Sequence, residues 1–414
     1  MSPTRATTCA AVSCNGGMSR VSLAMASDTQ QHRCTTTSSG TSSSVQRVTI
    51  LPGRTVRRAS ARSGEFICAT LSSGRRGTRA VLRTLVDVTT SRVDGRSTAP
   101  RVWDQHACLP LQPDADVAVL NRFRHGAGTY VSVNVGYSPQ SLADSLALLD
   151  AFRGGIERLE ATRLVSTAED VVAATDRGEL AVAFDLEDSG PLDGDLDNVR
   201  RFYDLGVRTM LPSYNHANAA GCGCLDADDT GLTAWGRRLV AEMNSVGMVP
   251  DGSHCSARTG LDMCEISTAP VIYSHSCMRA VWEHPRNISD DKARACAETG
   301  GVVGITGVGI FLGPNTPTLD AMTRHLEYAV DVVGIEHVGV SSDHSFDQDD
   351  FYAEVAANPD AFDESYTRWG PIRWMEPEVF VTLGVHLAGR GWGDEDIRKV
   401  LGGNFLRVAE ESWR

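Results

Sequence analysis

The sequence predicts an α/β protein: a (β/α)8 TIM barrel with a disordered N-terminal extension and C-terminal helices. Three observations point there. Residues 101–414 alternate short apolar runs with longer stretches of helical period, the runs number eight, and residues 1–100 share none of this texture. Apolar strands that are each followed by a helix imply a parallel sheet covered on both faces, and eight such units close into a barrel.

Residues 1–100 form a low-complexity leader. They hold 32 Ser or Thr, 14 Arg, no Lys and only four acids (Asp28, Glu65, Asp87, Asp94), a charge of +10. So little apolar content predicts a stretch that does not fold by itself. Arg-rich, Ser-rich, acid-poor sequence suits a transit peptide, whereas no apolar segment of secretory type follows Met1. With 37 Arg to two Lys in the chain, a non-functional leader read from a GC-rich gene is the plainer reading.

The net charge of −13 leaves the body after residue 100 at −23. An acidic body is poorly suited to phosphate backbones, which argues against nucleic acid as a partner. The eleven cysteines are odd in number and include no CxxC pair, so a reducing compartment is expected rather than a disulfide framework. No run of eighteen apolar residues occurs, so no membrane span is expected, and the protein is read as cytoplasmic. A homodimer is compatible with all of this.

The expected strands are 101–106, 129–136, 180–187, 207–214, 247–254, 270–275, 301–308 and 336–343. Between them lie amphipathic segments. The first, 139–160, places Leu142, Leu146, Leu149 and Phe152 on one face; 194–205, 231–246, 277–299 and 319–334 follow. After the eighth strand, 344–375 reads as a long loop, and helices are expected near 376–389, 393–401 and 403–412.

Metal-capable side chains recur at the ends of these strands. His106 closes the first strand, Glu187 the third, His254 the fifth, His275 the sixth and Asp343 the eighth, with Cys108 just past His106. One such His is more often a hydrogen-bonded loop residue than a ligand. Jointly they fall where a barrel gathers its active site, at the C-terminal ends of the strands. Imidazole, carboxylate and one thiol suit Zn²⁺ better than Ca²⁺ or Mg²⁺, and a bridging carboxylate would hold two ions.

Longer motifs carry a resemblance over nearly all of residues 101–414. GLTAWGRRLVAEMNSVGMVPDGSHCS (231–256), PVIYSHSCMRAVWEHPRNISDD (270–291), GIEHVGVSSDHSFD (334–347), AFDLED (183–188) and KVLGGNFLRVAEESW (399–413) resemble the membrane (renal) dipeptidase family of zinc metallopeptidases, with an amidohydrolase-like barrel. The resemblance implies a metal-dependent dipeptidase-like barrel at 101–414 holding two zinc ions. By it, His106 binds the first ion, Glu187 bridges, His254 and His275 bind the second, and Asp343 is the catalytic acid/base. Arg286, within HPRN, would grip the terminal carboxylate of a small peptide.

Two positions depart from the family. Its D-G-H-N-D motif reads D-Q-H-A-C at 104–108, replacing a metal-binding carboxylate by the Cys108 thiol; a thiolate is softer and favours zinc, or the first site is weak or empty. Its T-H-N reads Ser213, Tyr214, Asn215, so Tyr214 stands for a substrate-contacting His, with Asn215 beside it at the substrate. A phenol can donate to an oxyanion but cannot become cationic. His216 is a candidate substitute, and His344 reads as a loop residue. The implied activity is zinc-dependent cleavage of dipeptides by a metal-activated water. The alternatives are a metal-dependent deacylase or lactonase on amino-acid derivatives, and a catalytically degraded binding barrel.

Overall fold

The computed structural model describes residues 101–125, 128–359 and 361–414, together with the backbone of six short strands in the first hundred residues. The chain divides into compact units Met1–Thr90 and Ser91–Arg414. In the first unit, Thr8–Cys14, Gly17–Ala24, His32–Thr36 and Val45–Val48 pair antiparallel in sequence order. Apart from these backbones, the expectation of an unfolded leader lies outside the described residues.

The second unit is the barrel. Its staves are β1 (Val102–Cys108), β2 (Thr129–Asn134), β3 (Leu180–Leu186), β4 (Val207–Met210), β5 (Val249–Pro250), β6 (272–273), β7 (Val303–Thr306) and β8 (Val338–Ser341). β1 to β5 pair parallel in sequence order. Single parallel bridges, Asp251 to Ile272 and Tyr273 to Val303, carry the ring through β6 to β7, which pairs with β8. The ring closes where His344 and Ser345 pair with Ala107 and Cys108 of β1. β1 accommodates an extra residue between Asp104 and Ala107, opposite Val131 and Val133 of β2. Such a bulge re-aims side chains beside a site; here it falls at His106.

Every residue of β2 and β3 is buried, and β3 accordingly runs apolar from Leu180 to Phe184, while β2 buries Thr129, Ser132 and Asn134 among its apolar residues. Several of the helices start at a hydroxyl cap: Ser141 before α1 (Leu142–Ile156), Thr167 before α2 (Ala168–Asp176), Thr233 before α4 (Ala234–Val246), Ser289 before α6 (Asp290–Glu298) and Thr318 before α7 (Leu319–Val333). In each, the hydroxyl accepts from a backbone N–H that the first helical turn leaves free, typically worth about 1 kcal/mol. α3 (Asp197–Asp204) packs Val199, Phe202 and Tyr203 inward, as α1 does Leu148, Leu149, Phe152 and Ile156.

Several expectations are corrected. The expected helix 277–299 begins only at Asp290: Pro285 lacks an N–H, and Ser289 caps the new start. The freed segment holds Arg286. The supposed loop 344–375 contains α8 (Gln348–Ala357), capped by Asp347, and a single turn at Glu364–Thr367. α2, α5 (Ala257–Ile266) and the edge strand Thr162–Leu164, which pairs with β3, were not anticipated. Strands four and five are shorter than expected because 211–214 and 251–254 leave the ladder to build the mouth. Among the described residues no helix is long and apolar enough to cross a membrane.

Candidate metal centre

The six metal-capable side chains anticipated at the strand ends meet at one mouth. Glu187 Oε1 is the focus: His106 Nε2 lies 3.2 Å away, and His254 Nε2 and His275 Nε2 each lie 3.5 Å away. The His106 and His275 rings stack with centroids 4.2 Å apart, and His254 is tilted against His275 at 5.1 Å. Cys108 Sγ stands 3.3 Å and Asp343 Oδ1 3.8 Å from His106 Nε2. Ligand atoms of His106, Glu187 and His275 form one group within 4.8 Å, and those of His106, Cys108 and Asp343 form another.

Each ligand is held from behind. His106 Nδ1 donates to Asp185 Oδ1 (3.1 Å), whose other oxygen accepts from Ser132 Oγ (2.5 Å). Asn134 Nδ2 donates to Glu187 Oε2 (2.7 Å), leaving Oε1 to the imidazoles. His254 Nδ1 meets Asn215 Oδ1 at 2.8 Å, and His275 Nδ1 meets Ser274 Oγ at 2.7 Å. Partners on the far ring nitrogen fix which nitrogen faces a metal. Asn215, His254 and Asp343 have φ of 54°, 61° and 50°, left-handed values that cost a non-glycine residue energy and cluster at functional sites.

Burial pushes His254 down to about 3, with Arg286 adding to it, and drives His275 well below the usual histidine range, with His106 adding to it. Burial would likewise lower His106, but the charges of Asp185 and Glu187 outweigh it and hold His106 well above that range. Burial would raise Glu187, yet His106 and His254 hold it below the carboxylate range. Burial pushes Cys108 up to about 12 and Asp343 up to about 7, with Glu187 adding to both. A cation placed among these groups would reverse the cost of ionising the thiol.

The residues fit a metal ion. His275 Nε2 is fully buried and has no hydrogen-bond partner, an expensive state unless a ligand satisfies it. Two imidazoles kept neutral, one ionised carboxylate and a nearby thiol are a donor set for a borderline divalent ion.

The remaining expected residues divide. Tyr214 stacks on the His254 ring at 4.0 Å and lines the cleft above the cluster. Arg286 is buried: one terminal nitrogen donates to the His275 carbonyl (3.1 Å), its Nε has no partner, and its guanidinium lies over Phe311. Asn215 does not line the cleft as expected, because its amide is engaged by His254 and by the Ala361 carbonyl. His216 forms an outlying pair with Asp226, and His344 binds the Met375 carbonyl; neither enters the cluster. Sequence reasoning missed Asp185, Asn134, Ser274 and Tyr366. Of these only Asp185 carried a signal, lying two residues before Glu187 and hence on the same strand face.

Above the cluster a cleft of about 760 Å³, counted with its open mouth, is walled by Tyr137, Phe311, Phe362, Tyr366, Ile372 and Trp374. A barrel whose strand ends present imidazoles and carboxylates beneath a concave, partly aromatic cleft defines a metal-holding small-molecule site.

The family described as Membrane dipeptidase (Peptidase family M19) matches residues 106–354. An uncharacterized dipeptidase, C965.12, of Schizosaccharomyces pombe is 36% identical over 189 residues, which is 44% of this chain and 45% of that protein. Dipeptidase verJ of Clonostachys rogersoniana is 31% identical over 290 residues, 69% of each chain. Among solved structures, an amidohydrolase from Pseudomonas aeruginosa superposes with TM-score 0.68 at 26% identity, covering 76% of this chain and 97% of that one. A Rhodobacter sphaeroides metallo peptidase, liganded with a phosphinate mimic of the dipeptide L-Ala-D-Ala, shares the fold (TM-score 0.62, 21% identity, 76% and 99% covered). The chain belongs to the membrane dipeptidase family, peptidase family M19.

Proposed function

We propose that the protein hydrolyses dipeptides and that its mouth would hold zinc. The observation that carries the reading is the convergence of three imidazole Nε2 atoms on one carboxylate oxygen, at 3.2, 3.5 and 3.5 Å, beneath a concave cleft. His106, Glu187, His254 and His275 would hold the metal, with Cys108 completing the first position. When bound, zinc supplies Lewis acidity and lowers the pKa of water.

The chain's own groups do the rest. Asp343, within the cleft and beside His106, takes a proton from the attacking water and returns it to the departing amine as the C–N bond breaks. Burial drives the Tyr214 phenol well above its ordinary range, so it stays protonated and can donate to the developing oxyanion. Arg286, buried behind Phe311 of the cleft wall, supplies fixed positive charge for the substrate's terminal carboxylate. The concave, partly aromatic wall suits short substrates.

The test is metal content together with a panel of dipeptides, D-residues included at the C-terminal position. Wild-type protein is expected to carry one or two zinc ions per chain. Asp343→Asn is expected to lower kcat by about 10²–10⁴-fold, whereas Arg286→Ala chiefly raises KM. Full turnover by Asp343→Asn overturns its assignment, and zinc-replete protein without metal overturns the reading.

A further inference from the structure

One amide links the metal cluster to the wall of the cleft. Asn215 is fully buried, and its Nδ2 donates to the carbonyl of Ala361 (3.0 Å). A carbonyl can only accept, so the amide nitrogen must face Ala361 and the amide oxygen must face His254. His254 Nδ1, 2.8 Å from that oxygen, therefore carries the ring proton, and Nε2 keeps its lone pair for the cluster. The same oxygen receives the Tyr366 hydroxyl (3.2 Å) and the Cys224 thiol (3.5 Å). Three donors share two lone pairs, so these contacts compete.

One loop ties the backbones of Asn215 and His254 together. The Cys224 N–H donates to the His254 carbonyl (2.8 Å), and the Leu225 N–H donates to the Asn215 carbonyl (2.8 Å). A Cβ at Gly223 would lie 2.0 Å from the Asn215 carbonyl carbon, so this loop is clamped against Asn215. By contrast, Ala361 and Tyr366 belong to the segment after α8, whose Phe362 and Tyr366 face the cleft. What seats beneath that segment therefore bears on the atom that orients a metal-holding imidazole.

We propose that Asn215 is a positioning residue through which the roof of the cleft, at 361–366, sets metal affinity at His254. The inference rests on the metal-holding reading of the cluster and deepens it: the roof and the metal are coupled through one carboxamide.

The experiment measures zinc affinity by chelator competition, with circular dichroism to check folding, on the full chain. Partners behind a ligand typically contribute about 10–100-fold in affinity, and Asn215→Ala is expected to lose an amount in that range. Tyr366→Phe keeps the ring, removes only the hydroxyl, and is expected to change zinc affinity measurably although Tyr366 is no ligand. The double variant should bind no worse than Asn215→Ala, because both act through one oxygen. Asn215→Asp separates the two ends: a carboxylate still accepts from His254 Nδ1, so it should bind zinc more tightly than Asn215→Ala though more weakly than wild type, while loss of the donor to Ala361 should speed proteolysis within 348–375. Should Asn215→Ala misfold, Tyr366→Phe and Asn215→Asp decide the matter. Wild-type affinity in Tyr366→Phe, or unaltered proteolysis in Asn215→Asp, overturns the coupling and leaves the dipeptidase reading standing. A wild-type chain that binds no zinc overturns both.

Discussion

His325 should make the barrel acid-sensitive, and the size of the effect follows from its surroundings. The side chain is wholly buried on α7. Its Nδ1 accepts the N–H of Met278 at 3.1 Å, three residues beyond His275, so Nε2 carries the proton and faces the Leu312 carbonyl at 3.4 Å. Protonation would put a second N–H against that of Met278 inside the core. Burial accordingly pushes His325 down to about 4 from an ordinary 6.5. The folded state then resists a proton that the unfolded chain accepts, so this contribution is complete above pH 6.5 and is lost as pH falls from 6.5 towards 4. At about 1.4 kcal/mol per pKa unit, the loss is about 2 kcal/mol by pH 5 and about 3 kcal/mol by pH 4. Urea unfolding of wild type and His325→Phe between pH 8 and pH 4 provides the assay. The variant should be the less stable at pH 8, with two backbone groups left unpaired, and the gap should close by that amount on acidification. A gap that stays constant with pH would refute the reasoning, whatever the absolute stabilities.

Other outcomes follow from the same geometry. Cys108→Ala should lower zinc content or affinity and Cys108→Asp should restore it, as measured by metal analysis after dialysis; unchanged stoichiometry in the alanine form makes the thiol a bystander. Asp185→Asn removes the carboxylate behind His106 Nδ1 and should weaken zinc binding by about 10–100-fold, read by chelator competition. Phe152, fully buried where α1 meets the barrel, should cost about 3–5 kcal/mol on substitution by Ala, visible as a lower urea midpoint.

Much of this protein is legible without coordinates. Strand 180–187 is found almost intact because a stave buried on both faces is mostly apolar: Leu180 to Phe184 run without a break, and Asp185 interrupts only where the site begins. The site residues were equally visible, since a barrel delivers whatever ends its strands to one place: His106, Glu187, His254, His275 and Asp343 needed only the strand ends to be located. Segment 277–299 was harder. Its apolar spacing suits a helix, and only the backbone shows Pro285 and Ser289 dividing it into a turn with Arg286 and a short helix.

The sequence by itself determined the barrel and the metal-capable side chains at its strand ends, because apolar period and residue type are local properties of the chain, whereas the departures at Cys108 and Tyr214 stand out only against the family it resembles. Only the tertiary structure decided the partners behind the ligands. Asn134 and Ser132 on β2, and Asn215 past β4, reach Glu187, Asp185 and His254 through hydrogen bonds that span tens of residues. The same holds for the use of Asn215 on His254 rather than in the cleft. A carboxamide's role depends on which way it faces, and that is settled by what folds against it.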